Sequence, residues 1–347
     1  MEGIGIDGKD VRIITNLYWN QKAAIRLSGV TSEYTPIKRG VRQGCILSPL
    51  LFNVYTEFIF RKINDHQGIT IGGRRLTNLR YAGDTALLSG SNENLQDLLD
   101  QVKGESVKMG LAMNVKKTKA MLITKDDSLK PNIVADGVNL ENVTQFKYLG
   151  QTVTADGRNE SEINIRIAMS KGRFQQMYRV FTSCQISVTL RLRLLNCYVY
   201  SMLLYGCETW TITKTLEKKI EACEMWMLRR IGKVSWTERK TNEEVLALLG
   251  TERSLLTQVK KRKLSFFGHT KRHDGLLRHV LEARIEGSRA VGRPQAVWTD
   301  NIKSWTGCSL AVCTRRAQDR ELWRSISSQP PSAKQCRIAR ALFGDGT

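Results

Sequence analysis

The sequence predicts an α+β protein in which a mixed strand-and-helix region is followed by a helical region. Up to about residue 154, short alternating apolar stretches are separated by Gly-rich turns and by two amphipathic helices. From about Asn159 onward, apolar residues recur at helical spacing instead. Apolar residues make up 41% of the 347 residues, which is enough for a buried core.

The first region is defined by its turns and helix boundaries. A hairpin is predicted around Ser28-Gly29 and another at Gly72-Gly73, because glycine allows tight turns. Ser48-Pro49 is typical of a helix start, and the apolar spacing after it predicts a helix to about residue 65. A second amphipathic helix is expected to end at Gly110.

The helical region is expected to contain five longer helices and two shorter ones. The predicted helices are 166–182, 188–204, 216–231, 242–249, 255–267, 297–305 and 316–326. The Gly- and Arg-rich stretch 286–295 predicts a linker or a loop that contacts a nucleic-acid backbone. We therefore expect a mixed strand-and-helix region (1–154), a helical region (155–250), a basic helical region (251–326) and a mobile tail (327–347).

The net charge of +21 favours a polyanionic partner, most simply nucleic acid. The last 97 residues contain 19 Lys and Arg against 8 Asp and Glu, an excess of +11. Contacts with a nucleic-acid backbone are predicted at Lys260, Lys261, Arg262 and Lys263. The same run also fits a nuclear signal or a charged helix face, and a basic surface without any partner is the plainer alternative.

The eight cysteines include no Cys-x-x-Cys pair, and most of them lie within apolar helical patterns, which suits a reducing compartment. A zinc site built from Cys308, Cys313 and nearby histidines would not follow any common ligand spacing. The sequence shows no secretory signal and no apolar run of the roughly 20 residues that cross a membrane. An intracellular protein, in the nucleus or the cytoplasm, is therefore expected.

Tyr81-Ala82-Gly83-Asp84 is the most informative motif. Two short apolar arms flank this polar corner, which predicts a β-hairpin. Two adjacent carboxylates at such a corner could hold metal ions for nucleotidyl transfer, but only Asp84 is present. The simpler interpretation is an ordinary turn in which Gly83 supplies a positive φ.

A basic Gly-rich loop precedes the hairpin and leads into the predicted helix at Ser48. Such a loop before a helix N-terminus suits contact with phosphate groups. The loop reads Arg39-Gly40-Val41-Arg42-Gln43-Gly44-Cys45.

Together these motifs resemble the reverse transcriptase of non-LTR retrotransposons, in order and in spacing. Arg39 to Phe60 is similar to the family's template- and nucleotide-contacting loop and helix, with Arg42, Gln43 and Gly44 in the pocket, and 81–84 is similar to its catalytic hairpin. Gly110 to Lys119 resembles the next motif, in which Lys119 would approach the triphosphate. Further resemblances are the primer grip (Phe146, Lys147, Tyr148, Leu149, Gly150) and two stretches of the following helical region, 204–210 and Gly292-Arg293-Pro294.

The resemblance implies RNA and DNA as partners and Mg²⁺ as the cofactor. It also implies that 1–154 is a partial fingers region with an incomplete palm, an antiparallel sheet with helices, and that 155–250 is a helical thumb-like region. Two departures affect catalysis. Gly83 stands where the family has its first hairpin aspartate, and the aspartate of an earlier palm strand would precede the helix that begins at Gly5-Ile6-Asp7-Gly8. We therefore expect Mg²⁺ not to be bound productively.

Three functions remain open from the sequence. The chain could be a reverse transcriptase domain without polymerase chemistry, in which Asp84 is a remnant of the metal site. It could be a domesticated, non-catalytic RNA- and DNA-binding protein. It could also be an active nucleotidyl transferase that combines Asp84 with an unrecognised carboxylate, or part of a longer active reverse transcriptase. The sequence leaves the oligomeric state open.

Overall fold

The computed structural model describes residues 5–124, 129–283 and 296–328, which form two compact units. Unit 1 comprises the residues up to Ala120 together with Pro131–Glu141, and unit 2 comprises Met121–Lys130 and the residues from Asn142 onward. The hairpin 145–154 therefore belongs to the helical unit, although the sequence suggests a boundary after it. Unit 2 also joins the predicted regions 155–250 and 251–326 around one core.

Unit 1 has three α-helices and short strands. The helices are α1 (Gly8–Tyr18), α2 (Leu47–Phe60) and α3 (Asn92–Lys108). The strands are β1 (Lys22–Ala23), β2 (Arg26–Leu27), β3 (Val30–Thr31), β4 (Thr35–Pro36), β5 (Ile69–Ile71), β6 (Arg74–Leu76), β7 (Asn78–Tyr81), β8 (Asp84–Leu87), β9 (Lys119–Ala120), β10 (Val134–Ala135) and β11 (Val138–Asn139), and β12 (Glu141–Asn142) lies at the unit boundary. Antiparallel ladders join β1 with β4, β2 with β3, β5 with β6, β7 with β8 and β10 with β11.

The predicted palm sheet is not seen as one sheet among the described residues, where every ladder has two strands. The strands are two to four residues long, and most of them pair with a neighbour close in sequence, for which loop closure costs least. The small core of unit 1 consists of Leu99, Ala120, Ile133, Ala135 and Leu140. Large apolar side chains in 1–50 remain in solvent, with Ile25 77% and Ile46 90% exposed.

Unit 2 begins with a β-hairpin and continues as helices. The hairpin strands are β13 (Gln145–Tyr148) and β14 (Gln151–Thr154). The helices are α4 (Glu160–Gln176), α5 (Tyr178–Thr182), α6 (Val188–Leu195), α7 (Ser201–Leu203), α8 (Lys214–Ile231), α9 (Asn242–Leu249), α10 (Leu255–Arg272), α11 (Leu276–Glu282), α12 (Trp298–Thr306), α13 (Leu310–Gln318) and α14 (Arg320–Ser328).

The predicted helices are present, with interruptions that periodicity alone did not reveal. The helix predicted at 166–182 is divided at Met177 into α4 and α5, and the helix predicted at 188–204 contains a π-helical turn over Asn196–Tyr200. The helix predicted at 316–326 overlaps two helices, α13 and α14. Helices that share one buried face keep the same apolar spacing across such breaks, so periodicity cannot locate the breaks.

The core of unit 2 is continuous and contains large aromatic side chains. Phe174, Trp210 and Trp323 are fully buried, and the Trp323 ring lies against Gly268, where an added Cβ would be 2.1 Å from it. Trp226 is half-buried against this core. Trp236 is 89% exposed, because it starts a short 3₁₀ turn in a polar stretch.

Some predictions fall outside the described residues. These are the loop at 286–295 with its Gly292-Arg293-Pro294 motif, Cys336, and the tail from residue 329. The described part of the chain has no helix long and apolar enough to cross a membrane.

Candidate nucleic-acid interface

The hairpin at 81–84 forms as the sequence predicts, with Tyr81 paired with Asp84 across a two-residue turn. Ala82 has the positive φ, 48°, whereas Gly83 lies outside the left-handed region. The assignment of positive φ to Gly83 is therefore wrong, because some tight turns need a positive φ only at the first central position. A Cβ added to Gly83 would meet nothing within 4 Å, so this position has room for a side chain.

Helix α2 holds the hairpin through two polar contacts. The backbone N–H of Ala82 donates to Asn53 Oδ1 at 3.0 Å, and the Arg80 guanidinium donates to Glu57 at 2.8 Å. Arg61 also donates to Glu57, at 2.9 Å, and these two arginines hold the pKa of the Glu57 carboxyl below its usual range. The turn is therefore fixed on α2 while Asp84 remains exposed.

The surroundings of Asp84 do not supply a metal site. In the described residues, no group of three or more His, Cys, Asp or Glu side chains could hold a metal ion. Two-metal nucleotidyl transfer needs carboxylates that converge from separate strands. The residues present around Asp84 therefore do not fit the Mg²⁺ pair that the family resemblance implies, and His269, His273, Cys308 and Cys313 likewise form no such group.

The basic loop before α2 is held against α1. Arg42 Nη2 donates to the carbonyl of Leu17 at 2.7 Å, and its guanidinium lies 5.6 Å from the centre of the Tyr18 ring. Gln43 and Gly44 are exposed on the same loop. These contacts fix the backbone of the loop and leave its outer edge open to a ligand.

Lys119 has a partner that the sequence did not reveal. Its ammonium group forms an ion pair with the carboxylate of Glu141, and the Lys119 side chain is 24% exposed. A phosphate group would have to compete with this carboxylate for the Lys119 charge. The role of Lys119 at a triphosphate stays a prediction.

The predicted primer grip is the turn and first strand of the β13–β14 hairpin, in which Tyr148 pairs with Gln151. Leu149 and Gly150 both have positive φ, 48° and 79°, which is the pattern of a type I′ turn. A Cβ on Gly150 would lie 3.4 Å from the Tyr205 ring. This turn therefore requires glycine at residue 150 both for its backbone and for the close approach of Tyr205.

A buried ion pair fixes this second hairpin. Arg166 donates to the carbonyl of Gly150 and, at 2.6 Å, to Glu162, whose other oxygen accepts the N–H of Thr152 at 2.8 Å. Burial raises the pKa of Glu162, but the hydrogen bonds from Arg166 and Thr152 outweigh burial and hold that pKa below its usual range. The Tyr205 hydroxyl donates to the carbonyl of Leu149 at 2.8 Å.

The stretch 204–210 has a structural role that sequence reasoning missed. Gly206 has a φ of 67°, and an added Cβ there would overlap the Gln151 side chain at 1.5 Å. Cys207 and Trp210 are fully buried in the core. The stretch therefore joins the second hairpin to the core of unit 2, and glycine between large apolar residues was its only sequence signal.

The four predicted backbone contacts at 260–263 have different environments. Lys263 is fully buried and donates to the carbonyl of Trp210 at 2.6 Å and to Asn301 Oδ1 at 2.7 Å, and burial lowers its pKa to about 7. Lys260 pairs with Glu217 at 3.4 Å, and Arg262 donates to the carbonyl of Leu204 at 3.0 Å. The prediction is wrong for Lys263. Residues four apart lie on one face of a helix, so Lys263 shares the buried face of α10 with Val259 and Phe267. Lys261 is exposed.

A different basic surface lies on the first helices of unit 2. Residues 163–207 contain six Lys and Arg and no Asp or Glu. Arg179 and Arg193 are exposed and Arg173 is half-buried. An open groove of about 520 Å³ runs beside Arg173 and is lined also by Met169, Gly172, Gln176, Cys197, Tyr198, Ser201 and Met202. We call the segment 163–207 the acid-free segment.

The comparisons with known proteins agree with the motif order. Residues 4–153 match the family described as reverse transcriptase (RNA-dependent DNA polymerase). The chain is 27% identical over 270 residues to an uncharacterized transposon-derived protein of Caenorhabditis elegans, covering 74% of this chain and 96% of that one. It is 29% identical over 159 residues to a Pol polyprotein from the type-1 retrotransposable element R2 of Nasonia vitripennis, covering 43% of this chain.

A third relative is the RNA-directed DNA polymerase from the mobile element jockey of Drosophila funebris, 24% identical over 241 residues and 67% of this chain. The match spans 26% of the jockey polymerase and 16% of the R2 polyprotein. The chain therefore corresponds to about a quarter or less of these two polymerases.

Proposed function

We propose that residues 4–153 are a retrotransposon-derived reverse transcriptase domain of the non-LTR type, and that this chain binds RNA and DNA without polymerising nucleotides. The observation that carries the proposal is the hairpin at 81–84. Gly83 takes the place of one carboxylate, and the exposed Asp84 has no metal-holding group around it in the described residues. A single carboxylate can hold a hydrated Mg²⁺ only together with substrate phosphates.

The energetics of phosphoryl transfer support the loss of chemistry. Two-metal catalysis clamps both the attacking and the leaving oxygen, and each metal contributes several kcal/mol of charge stabilisation in the transition state. Every ~1.4 kcal/mol of lost stabilisation lowers the rate about tenfold. An incomplete ligand set at Asp84 would therefore reduce synthesis below detection, while nucleic-acid contacts elsewhere would remain.

Primer extension tests this part of the proposal. The purified chain should not extend a labelled primer on an RNA or DNA template with either Mg²⁺ or Mn²⁺. Gly83→Asp should not restore synthesis in this chain, because the resemblance places the next metal-binding carboxylate on a palm strand before the helix that begins at Gly5-Ile6-Asp7-Gly8. Template-dependent incorporation that is lost in Asp84→Ala would overturn the proposal, and so would rescue by Gly83→Asp alone.

We assign nucleic-acid binding mainly to the acid-free segment. Asp and Glu would repel phosphates, and this segment has none over 45 residues, from 163 to 207. Arg179 and Arg193 are exposed, whereas Lys260, Arg262 and Lys263 are engaged with other groups of the protein. Tyr198, 49% exposed beside the groove, adds an aromatic surface on which a base can stack.

Anisotropy titrations with a labelled RNA or DNA, repeated over a range of salt concentrations, test this assignment. The triple variant Arg173→Gln, Arg179→Gln, Arg193→Gln should bind more weakly and reduce the log–log salt slope, by about 0.7 per lost contact on single strands. The matched control Lys214→Gln, Arg315→Gln, Arg320→Gln removes the same charge from three exposed residues outside the segment. Equal losses in both variants would contradict the assignment, and salt-independent or absent binding would contradict nucleic-acid binding itself.

A free-standing, domesticated binding protein is the second candidate. The observation that favours it is the 96% coverage of the Caenorhabditis elegans transposon-derived protein. A tag inserted at the endogenous locus, followed by immunoblotting, tests it. A product of about 39 kDa would support a free-standing protein, and a much larger product alone would contradict it.

A further inference from the structure

Two cysteines lie at the junction of α12 and α13. Cys308 follows Gly307, the C-cap residue of α12. It precedes Ser309, whose hydroxyl caps α13 by accepting the N–H of Val312 at 3.4 Å. Cys313 is the fourth residue of α13. In helices that begin in this way, the residue before the cap and the fourth helical residue commonly pack against each other.

The contacts of Thr306 bring the two thiols into one small site. Cys308 Sγ lies 3.5 Å from the Thr306 carbonyl oxygen, and Cys313 Sγ lies 3.2 Å from the Thr306 hydroxyl. Cys313 Sγ is also 4.0 Å from the carbonyl oxygen of Cys308. Both sulfur atoms therefore contact Thr306, and Cys313 also contacts the backbone of Cys308.

The two thiols differ in reactivity. Cys308 is half-buried, and the Arg316 guanidinium lies 3.5 Å from its sulfur. Cys313 is 1% exposed, and burial raises the pKa of its thiol. Because Cys308 is the more exposed of the two and its sulfur accepts a hydrogen bond from Arg316, Cys308 is the thiol that meets an oxidant first.

We propose that Cys308 and Cys313 are an oxidisable dithiol, which a peroxide converts to an intrachain disulfide. The Cys308 thiolate attacks one peroxide oxygen, the O–O bond breaks, and the leaving hydroxide takes up a proton to become water. The Cys313 thiol then attacks the sulfenic sulfur of Cys308, an S–S bond forms, and the hydroxyl leaves as a second water with the thiol proton. Two thiols lose two electrons in total, and the peroxide gains them.

The disulfide would join the end of α12 to the first turns of α13. Both helices pack into the core of unit 2 through Ile302, Trp305 and Ala317. A covalent link between them restricts the unfolded chain, so the oxidised protein should be the more stable form. The site is independent of Asp84 and of the acid-free segment.

The experiment uses the full chain with Cys45, Cys184, Cys197 and Cys336 replaced by Ser, so that of the eight cysteines only the pair and the buried Cys207 and Cys223 remain. Reduced protein is treated with limiting hydrogen peroxide, blocked with N-ethylmaleimide and digested with trypsin. Cleavage after Lys303 and Arg315 gives one peptide that contains both cysteines of the pair. This peptide should lose two hydrogens in mass and carry no maleimide.

Two further variants separate the roles. In Cys313→Ala the first step should stop at a sulfenic acid on Cys308 that dimedone traps, and in Arg316→Gln the oxidation of Cys308 should slow several-fold. A peptide that gains only sulfinic oxygen on Cys308 while Cys313 stays maleimide-reactive would overturn the proposal. Equal oxidation rates with and without Arg316 would overturn the role of that arginine.

Discussion

Each unit contains a hairpin with the same local design and a different support. Both hairpins have two four-residue strands joined by a two-residue turn, at 82–83 in unit 1 and at 149–150 in unit 2. The first turn has a positive φ at one residue, and the second has it at both. Hairpins that look alike in sequence therefore place different demands on their glycines.

The two supports differ in burial. Glu57, which holds the first hairpin on α2, is 35% exposed, whereas the side chains of Arg166 and Glu162 are only 8% and 2% exposed. Exposed ion pairs contribute about 0–1 kcal/mol. Removing one partner of a buried pair costs far more, because a charge is left without compensation. The first hairpin is therefore held weakly and the second strongly.

The largest effect is expected from breaking the buried pair. Arg166→Met should destabilise unit 2 by about 3–5 kcal/mol, because Glu162 would remain buried without its cation. Urea denaturation followed by tryptophan fluorescence measures the change. The matched control is Lys219→Met, which breaks the exposed pair with Glu160 and should cost far less stability, because both charges stay in water. Similar losses in both variants would contradict the contrast between buried and exposed support.

The pH dependence of the same variant sharpens the test. The folded pKa of Glu162 is held below its usual range, so its contribution to stability is present above the unfolded pKa of about 4.3 and is lost as the pH falls through the folded value. Without Arg166 the folded pKa should rise, and this acid-side loss should shrink or reverse. Denaturation curves at several values between about pH 3 and pH 7 measure the difference between the unmodified protein and Arg166→Met.

The next prediction compares the stability of unit 1 with that of unit 2. Unit 1 has a small core and many exposed apolar side chains, whereas the core of unit 2 runs from Ile163 to Trp323. The amides of β7, β8 and α3 should therefore exchange before those of α4, α8 and α10, with a free energy of local opening lower by about 2 kcal/mol or more. Hydrogen exchange measured by mass spectrometry of peptides gives both values. Equal protection in both units would show that unit 1 is held together by interactions other than its small core.

The smallest effect distinguishes the two turns. Gly150→Ala should cost about 1–2 kcal/mol, because alanine is strained at positive φ and its Cβ would approach Tyr205. Gly83→Ala should change stability by no more than about 0.5 kcal/mol, because this position has ordinary φ and open surroundings. Thermal unfolding of the two single variants measures both. A large loss in Gly83→Ala would mean that the first turn also depends on glycine.

Part of the candidate site was predictable from the sequence. The hairpin at 81–84, the start of α2 and the type of most helices follow from turn residues, caps and apolar spacing, which act over a few residues. The order of the motifs also predicted the family whose model matches residues 4–153. The sequence alone shows glycine at residue 83, where the resemblance predicts a carboxylate.

Other features depend on packing between residues far apart in the chain. The sequence predicts Lys260 to Lys263 as a surface run, but the spacing of Val259, Lys263 and Phe267 on α10 buries the lysine against Trp210 and Asn301. The acid-free segment became a candidate binding surface only when the structure placed Arg173, Arg179 and Arg193 outside the core.

The sequence by itself determined the class of the protein, the local elements and the missing carboxylate, because residue type and short-range spacing fix these. Only the tertiary structure decided which basic residues face solvent, which of Ala82 and Gly83 takes the positive φ, and how Arg166 and Tyr205 hold the second hairpin. The physical reason is distance along the chain. Burial and hydrogen bonding join residues tens of positions apart, such as Lys263 with Trp210 and Tyr205 with Leu149, and no local pattern predicts those partners.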